Sequence, residues 1–373
     1  MFRIPISKPY LDSFDQNKLF NTFKSSWISS NGANIGKFEK NFSKYTGSKY
    51  SLCCSNGTVA IELALKSLRI KKNDEVIIPN LTFAATINAV INVGAKPIII
   101  DVEKDSFAFN YSELEKSITN KTFAIIYVHL FGFPIDIKKN LRKLYNKNIY
   151  FIEDCAESLG AFINNRHIGF FGDCSTFSFF SNKIITTGEG GIINFKKKKN
   201  YNLALKIKNQ GRSNQRYYWH DEIGGNYRMT NLQASLGITQ LKKINKLLQL
   251  RKKIFKSYDL LFSNSAKIIP IHSIIECNFN DISYWYYTIK IKDFNLKKRD
   301  KLIQYLKKNG VETRPMFYPL SDMSIYKKFL VGSSVNSKNW SYSSLSLPTF
   351  PGLKINEIEH ICKKVKLFVN SNY

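Results

Sequence analysis

From about residue 50 to residue 195, short β-rich runs alternate with amphipathic or Gly/Asn-punctuated stretches. The strand-like runs are YSLCCS, DEVIIP, KPIIIDV, FAIIYVHL, NIYFIED, CSTFSFF and GGIINF, and segments such as TVAIELALKSL carry apolar residues at helical spacing between them. This alternation predicts an α/β fold, a mostly parallel central sheet covered by helices on both faces. Such a sheet presents its functional residues at the carboxyl ends of its strands, where the loops form a crevice.

The pattern changes after residue 231, where NLQASLGITQLKKINKLLQLRKKIFKSYDLLF predicts one long amphipathic helix. Leu241, Ile244, Leu248, Ile254, Tyr258 and Leu261 mark its apolar face. Beyond it the strand-like YWYYTIKI, the helical KRDKLIQYLKKNG and a last helix in NEIEHICKKVKLFV suit a smaller α+β domain. A chain of 373 residues has room for one large and one small domain, here residues 1–240 and 241–373. There is no internal repeat and no low-complexity linker.

Composition narrows the function classes. Hydrophobic residues at 43% and aromatics at 14% exclude global disorder. The formal charge of +28 raises nucleic-acid binding as a function. Its distribution argues against that: lysines are scattered along helices, as in LKKINKLLQLRKKIFKSY, and the dense run Lys196–Lys199 is expected in a turn after a strand. No nucleic-acid motif accompanies the charge. Cys53, Cys54, Cys155, Cys174, Cys277 and Cys362 have neither zinc-ligand spacing nor disulfide-scaffold density, and read as free, mostly buried thiols. MFRIPISKPYLD does not resemble a signal peptide and no run is apolar enough to span a bilayer, so the expectation is a soluble cytoplasmic protein with no membrane partner.

The candidate chemistry begins with NIYFIED, a strand ending in Glu153 and Asp154. Alone, such a carboxylate reads equally as a helix cap or a solvated terminus. Further on, CSTFSFF delivers Ser178 and leads through Ser181 and Asn182 to Lys183, followed by the turn Gly188-Glu189-Gly190-Gly191. An aromatic strand before a lysine and a glycine-rich turn after it bring one amine to a fixed point in a crevice. Pyridoxal phosphate needs an amine, a carboxylate to keep its ring nitrogen protonated, and donors for its phosphate. Lys183, Asp154 and Ser178 are of those types. Ser55-Asn56-Gly57-Thr58 opens the helix TVAIELALKSL and reads either as a phosphate cradle or as a plain helix cap.

The strings CSNGTVAIELAL, EDCAESLGA, FGDCSTFSFFSNKIITTGEGG, NYRMTNLQASLG and RPMFYPL, in this order, resemble the DegT/StrS family of sugar aminotransferases, which belong to fold type I of the pyridoxal-phosphate enzymes. The resemblance runs from WISSNG to the C-terminal helix. Within the family, WISSNG, HLFGFP and YWHDEIGGNYRMTN look most like the members that form GDP-perosamine. By position, the resemblance makes Lys183 the Schiff-base lysine, Asp154 the partner of the ring nitrogen, and Ser178, Gly57 and Thr58 the phosphate contacts. Phe83 becomes the ring that stacks on the cofactor, and Glu157 a neighbour of its phenolic oxygen, where relatives carry Gln or His. Asn226 matches a residue that reaches the phosphate of the neighbouring subunit, which implies a homodimer with shared sites. Arg228, Arg314 and Tyr318 are substrate-binding candidates, although either arginine also reads as a structural ion-pair residue. His129, Cys155 and Cys174 read as packing. Two departures bear on the substrate: Gly225 replaces a common aromatic, and Ser321-Asp322 stand where a histidine is usual.

The resemblance implies amino transfer from glutamate to C4 of a nucleotide-linked 4-keto-6-deoxy sugar, GDP-4-keto-6-deoxymannose first, with pyridoxamine phosphate formed between the two stages. A UDP-linked sugar is the alternative inside this class. A basic pyridoxal-phosphate-binding regulator is the alternative outside it. Related sugar dehydratases carry histidine in place of the lysine, and Lys183 speaks against that reading.

Overall fold

The computed structural model describes residues 3–137, 148–213 and 215–371. Two helices not evident in the alternating pattern come first, α1 (Ser13–Lys24) and α2 (Ala33–Thr46). Asp12 and Asp15 form a capping box at the start of α1, and α2 stops at Gly47, whose φ of 73° suits a residue without Cβ. Phe38 and Phe42 of α2 are fully buried, with ring centroids 5.2 Å from Phe179 and 5.0 Å from Phe177.

The alternating region follows as β1 (Tyr50–Cys54), α3 (Gly57–Ser67), β2 (Glu75–Pro79), α4 (Ala84–Asn92), β3 (Lys96–Ile100), α5 (Tyr111–Lys116), β4 (Thr122–Val128) and β5 (Tyr150–Asp154). A small hairpin, β6 (Phe162–Ile163) and β7 (Arg166–His167), precedes β8 (Cys174–Ser178) and β9 (Gly191–Phe195). Each of the seven predicted runs supplies one strand of a single sheet ordered β1-β9-β8-β5-β4-β2-β3. Only β9 runs against its neighbours, β1 and β8. The side chains of β2 and β4 are almost all buried on both faces, as a helix-covered sheet requires.

Two expectations change. The lysine run enters a helix rather than a turn: α6 (Lys198–Lys208) begins at its third member, and burial of Asn200, Ala204 and Ile207 holds the segment helical. The long helix after residue 231 is two, α7 (Asn231–Lys242) and α8 (Ile244–Phe262). The break is at Lys243, with φ −95° and ψ 0°, whose Nζ lies 2.9 Å from Asp12 Oδ1 and also contacts Asp15. Burial explains the break. α7 is enclosed between α1 and α2, whereas α8 buries one stripe, so the two face different surroundings. The division expected after residue 240 falls inside α7.

The C-terminal part contains β10 (Ile268–Pro270), β11 (Tyr287–Ile291), α9 (Leu296–Lys308), β12 (Arg314–Pro315), α10 (Val335–Ser343), β13 (Ser344–Leu347) and α11 (Ile355–Asn370). Its strands form an antiparallel sheet ordered β10-β11-β13-β12. YWYYTIKI yields a shorter strand than predicted because Tyr284 sits at φ 54°, which an extended strand does not admit. All six cysteines are free and five are buried. Among the described residues no helix is long and apolar enough to cross a membrane.

Candidate active site

Cys54 at the end of β1 and Ser178 at the end of β8 both pair with Gly191, the first residue of β9. The turn after β1 is therefore brought against Ser178. A Cβ on Gly57 would lie 2.9 Å from Ser178 Cβ, and one on Gly191 would lie 2.4 Å from the Asn56 carbonyl oxygen. Only glycine permits this approach at either place. Asn56 caps α3 by accepting from the Val59 N–H at 2.9 Å. The amides of Gly57 and Thr58 find no acceptor among the described residues. A serine hydroxyl, two open amides and a helix N-terminus form a cradle for a phosphate. Gly191→Ala is expected to destabilise the apoprotein by about 1–3 kcal/mol, since the obstructing atom is backbone. Calorimetric melting of the two proteins checks this, and an unchanged melting temperature would contradict the packing described.

Beyond β8 the chain folds back on itself. Phe179 N–H donates to the Gly190 carbonyl at 2.9 Å, and Thr187 N–H to the Phe179 carbonyl at 3.0 Å. Lys183 sits inside this loop with its side chain only 13% exposed, and its Nζ lies 3.6 Å from Glu157 Oε1. The same Nζ lies 4.3 Å from the Trp285 ring centroid, and the Trp285 indole N–H donates to the Asn182 carbonyl at 2.8 Å. Burial pulls the Lys183 amine below the usual lysine range, while Glu157 and Asp154 oppose that shift. Glu157 also accepts from the Phe131 N–H at 3.0 Å, and burial pushes its carboxyl up to about 7 against the pull of Lys183. Phe131 adopts φ 52°, a costly backbone state for an aromatic residue, and strain of this kind concentrates at functional sites.

The Glu157–Lys183 contact has a pH signature. A carboxyl raised in the fold favours the folded state while protonated, and its contribution to stability declines as pH climbs from about 4.5 through about 7. Lys183 loses its counter-charge in Glu157→Gln, which lowers its folded value further and makes stability rise with pH. Both effects have one sign. The melting temperature of apo Glu157→Gln should therefore gain on that of the parent between pH 5 and pH 8, as about those limits bracket the titration; parallel melting curves across that window would contradict the coupling.

Asp154 and Glu153 point to opposite faces of the sheet, and their environments separate them. Glu153 is saturated: it accepts from His129 Nε2 at 3.0 Å and from the N–H groups of Gly169, Phe171 and Gly172 at 2.6–2.8 Å. Burial opposes ionisation of Glu153, but these donors hold its carboxyl below the usual range. His129 Nδ1 accepts from the Ile135 N–H, so its proton is on Nε2 and the ring is a satisfied core histidine. Among the described residues Asp154 accepts from neutral donors, the Thr86 hydroxyl at 3.0 Å and the Ala156 N–H at 3.1 Å. Burial raises its carboxyl. A buried carboxylate with neutral hydrogen-bond donors, and Lys183 near enough to favour its charge, is suited to a cationic N–H supplied by a ligand.

Phe83, at the N-terminus of α4, is 60% exposed, so one of its faces is open for stacking. Its ring centroid lies 5.7 Å from Phe317, which stacks at 5.3 Å on Phe131. Tyr318 follows Phe317, is partly exposed, and its hydroxyl accepts from Nη2 of the fully buried Arg299 at 2.7 Å. Arg314 is exposed and paired with Glu312 at 2.7 Å. Asn226 and Arg228 flank Tyr227, whose carbonyl accepts from the Ser55 N–H at 3.0 Å. A Cβ on Gly225 would meet the Tyr227 ring at 2.5 Å, so glycine replaces the usual aromatic to admit that ring. Ser321 is buried and exchanges two hydrogen bonds with Asn80, so it does not take the place of an exposed histidine.

Thr86, Phe131, Trp285 and Phe317 escaped the sequence reading. Thr86 had a signal, because it lies three residues after Phe83 at the start of a helix. Trp285 had none, as its place over Lys183 is set by tertiary structure alone. The amine, the buried carboxylate with neutral donors, the glycine-built cradle and the exposed aromatic face together fit pyridoxal phosphate.

The chain is similar to known proteins over nearly its whole length. The chain is 37% identical over 365 residues to a GDP-perosamine synthase of Escherichia coli O157:H7, with 98% of each chain covered. It is 36% identical to a GDP-perosamine synthase of Vibrio cholerae, covering 98% of this chain and 99% of that one. Among solved structures, the PLP form of a putative sugar aminotransferase, Spr1654 of Streptococcus pneumoniae, superposes with a TM-score of 0.90 at 27% identity, covering 98% of both chains. With the family profile matched from residue 9 to residue 366, the chain belongs to the DegT/DnrJ/EryC1/StrS aminotransferase family.

Proposed function

We propose that this protein uses pyridoxal phosphate to transfer the amino group of glutamate to C4 of GDP-4-keto-6-deoxymannose, forming GDP-perosamine for a surface polysaccharide. The observation that carries the reading is the Lys183 amine held between Glu157 and Trp285, with Ser178 at the end of its own strand and Asp154 at the end of the neighbouring one. The names of the two curated relatives support the GDP-sugar.

Bound pyridoxal phosphate supplies an electron-withdrawing ring that makes the α-proton of the amino donor acidic. Lys183 Nζ takes that proton from the donor and, in the second half of the reaction, delivers a proton to C4 of the sugar. Partial desolvation keeps the amine basic enough to accept a proton and weak enough to release it. Asp154 holds the proton on the ring nitrogen. Ser178, Gly57 and Thr58 bind the phosphate, Phe83 covers the ring, and Glu157 faces the phenolic edge beside Lys183. Arg228, Arg314 and Tyr318 serve the sugar nucleotide, for which Arg314 must leave Glu312 or carry it along.

The enzyme acts in the cytoplasm as a homodimer, Asn226 reaching the phosphate of the second copy. The support is apolar surface: Phe23 at 66% and Trp27 at 62% exposure near α1, and Tyr218 at 81% and Ile223 at 95% in the loop before α7. The assay that tests the function offers GDP-4-keto-6-deoxymannose and UDP-linked 4-keto-6-deoxyhexoses with glutamate and follows 2-oxoglutarate. Faster release with the GDP sugar is expected, and preference for a UDP sugar would overturn the substrate assignment.

A further inference from the structure

Arg251 lies on α8, far along the chain from Lys183, and is 2% exposed. Among the described residues it has no carboxylate partner. Its Nη1 donates to the Trp285 carbonyl at 2.7 Å and to the Thr349 carbonyl at 3.0 Å, and its Nε has no acceptor. Burial lowers the guanidinium to about 10, with Tyr286 opposing, so it is charged at neutral pH. A buried, unpaired cation is unfavourable, and an apolar side chain would pack the same space without that cost. The two carbonyls it grips are therefore the feature to explain.

One of them belongs to Trp285, which is 3% exposed, stacks on Tyr286 at 4.2 Å, and meets Phe131 at 5.8 Å. Tyr284, immediately before it, has φ 54°, and Ser283 N–H donates to the Gly132 carbonyl at 3.1 Å. The backbone carrying the indole is thus bent out of its strand and needs an anchor. That indole covers the Lys183 amine and fixes the Asn182 carbonyl beside it. We infer that Arg251 is a positioning residue of the active site, anchoring the Trp285 backbone so that the indole covers the Lys183 amine and fixes its place between Glu157 and the ring.

The inference rests on the aminotransferase reading for its consequence, but the substrate-free cofactor titration in its test does not. The groups facing the amine are Glu157, Asp154 and the Trp285 ring. The ring attracts a cationic nitrogen and keeps water away from it. Loosening it alters the proton affinity of the nitrogen, because the attraction is lost and water is admitted.

The experiment uses the full chain loaded with pyridoxal phosphate and the variants Arg251→Met, Arg251→Lys, Trp285→Phe and Arg251→Met/Trp285→Phe. The bound cofactor's absorbance is titrated against pH without substrate, and kcat and KM are measured with glutamate and the keto sugar. The apparent pKa of the chromophore should shift by about half a unit or more in Arg251→Met, the size of one altered cation–π contact. The value for kcat should fall by about 10-fold or more with KM for the sugar within about 3-fold, the pattern of lost orientation. Arg251→Lys should recover part of both. The double variant should be no worse than the more affected single one, because both act through one element. A lower melting temperature in Arg251→Met with an unchanged chromophore pKa and kcat would overturn the inference. If Arg251→Met does not fold, Trp285→Phe decides, and an unchanged chromophore pKa there has the same force. A protein that titrates as expected but does not transaminate would refute the functional reading and leave this one standing.

Discussion

Lys183→Ala is expected to lower turnover with glutamate and the keto sugar by about 10³-fold or more, because it removes the group that moves the proton in both halves of the reaction. The variant should still fold. Lys183 is buried at a cost, and in its absence Glu157 keeps its proton and leaves no bare charge behind. Pyridoxal phosphate should still enter through Ser178, Gly57 and Asp154, but it should be removed by gel filtration where the parent retains it. Lys183→Arg separates charge from chemistry, since a guanidinium restores a cation near Glu157 without an amine that attacks or shuttles. Equal loss in both variants is the expected result. Turnover in Lys183→Ala above about a tenth of the parent's would remove Lys183 from the mechanism.

Much of this site was legible before any coordinate. β-rich strand runs punctuated by helical segments fixed the sheet, because covered parallel strands are apolar on both faces and stand out from their connections. Lys183 and Ser178 were legible because they lie within one strand-loop segment, and Asp154 because it ends a neighbouring strand. The resemblance chose Asp154 over Glu153, but the physical reason that separates them was not legible. Both carboxylates are buried and adjacent, and only the four donors around Glu153 and the two neutral ones around Asp154 assign one to structure and leave the other open to a ligand. Trp285 and Arg251 were invisible for a similar reason, since an aromatic in YWYYTIKI and an arginine on an amphipathic helix each read as ordinary packing. The kink at Lys243 was hidden too. The burial that sets it and the contact of Lys243 with Asp12 and Asp15 both come from the opposite end of the chain.

Asp154→Asn isolates the one charge that the cofactor ring demands. The substitution is nearly isosteric, and the side chain can turn its carbonyl to the Ala156 N–H and its amide to the Thr86 oxygen, which is able to accept. The fold therefore keeps its hydrogen bonds. Burial already raises the Asp154 carboxyl, so in the apoprotein its contribution to stability declines as pH rises through its folded value, whereas asparagine has no such dependence. The apo variant should accordingly be at least as stable as the parent at pH 8, a working pH about four units above the ordinary aspartate range. Activity should move the other way, falling by about 10²-fold or more, because a neutral amide cannot hold a proton on the ring nitrogen and the ring loses its electron-withdrawing power. Opposite shifts in melting temperature and turnover from a single oxygen-to-nitrogen exchange are hard to produce by damage to the fold. Retention of half the parental turnover would show that the carboxylate is structural and that the ring nitrogen finds its partner elsewhere.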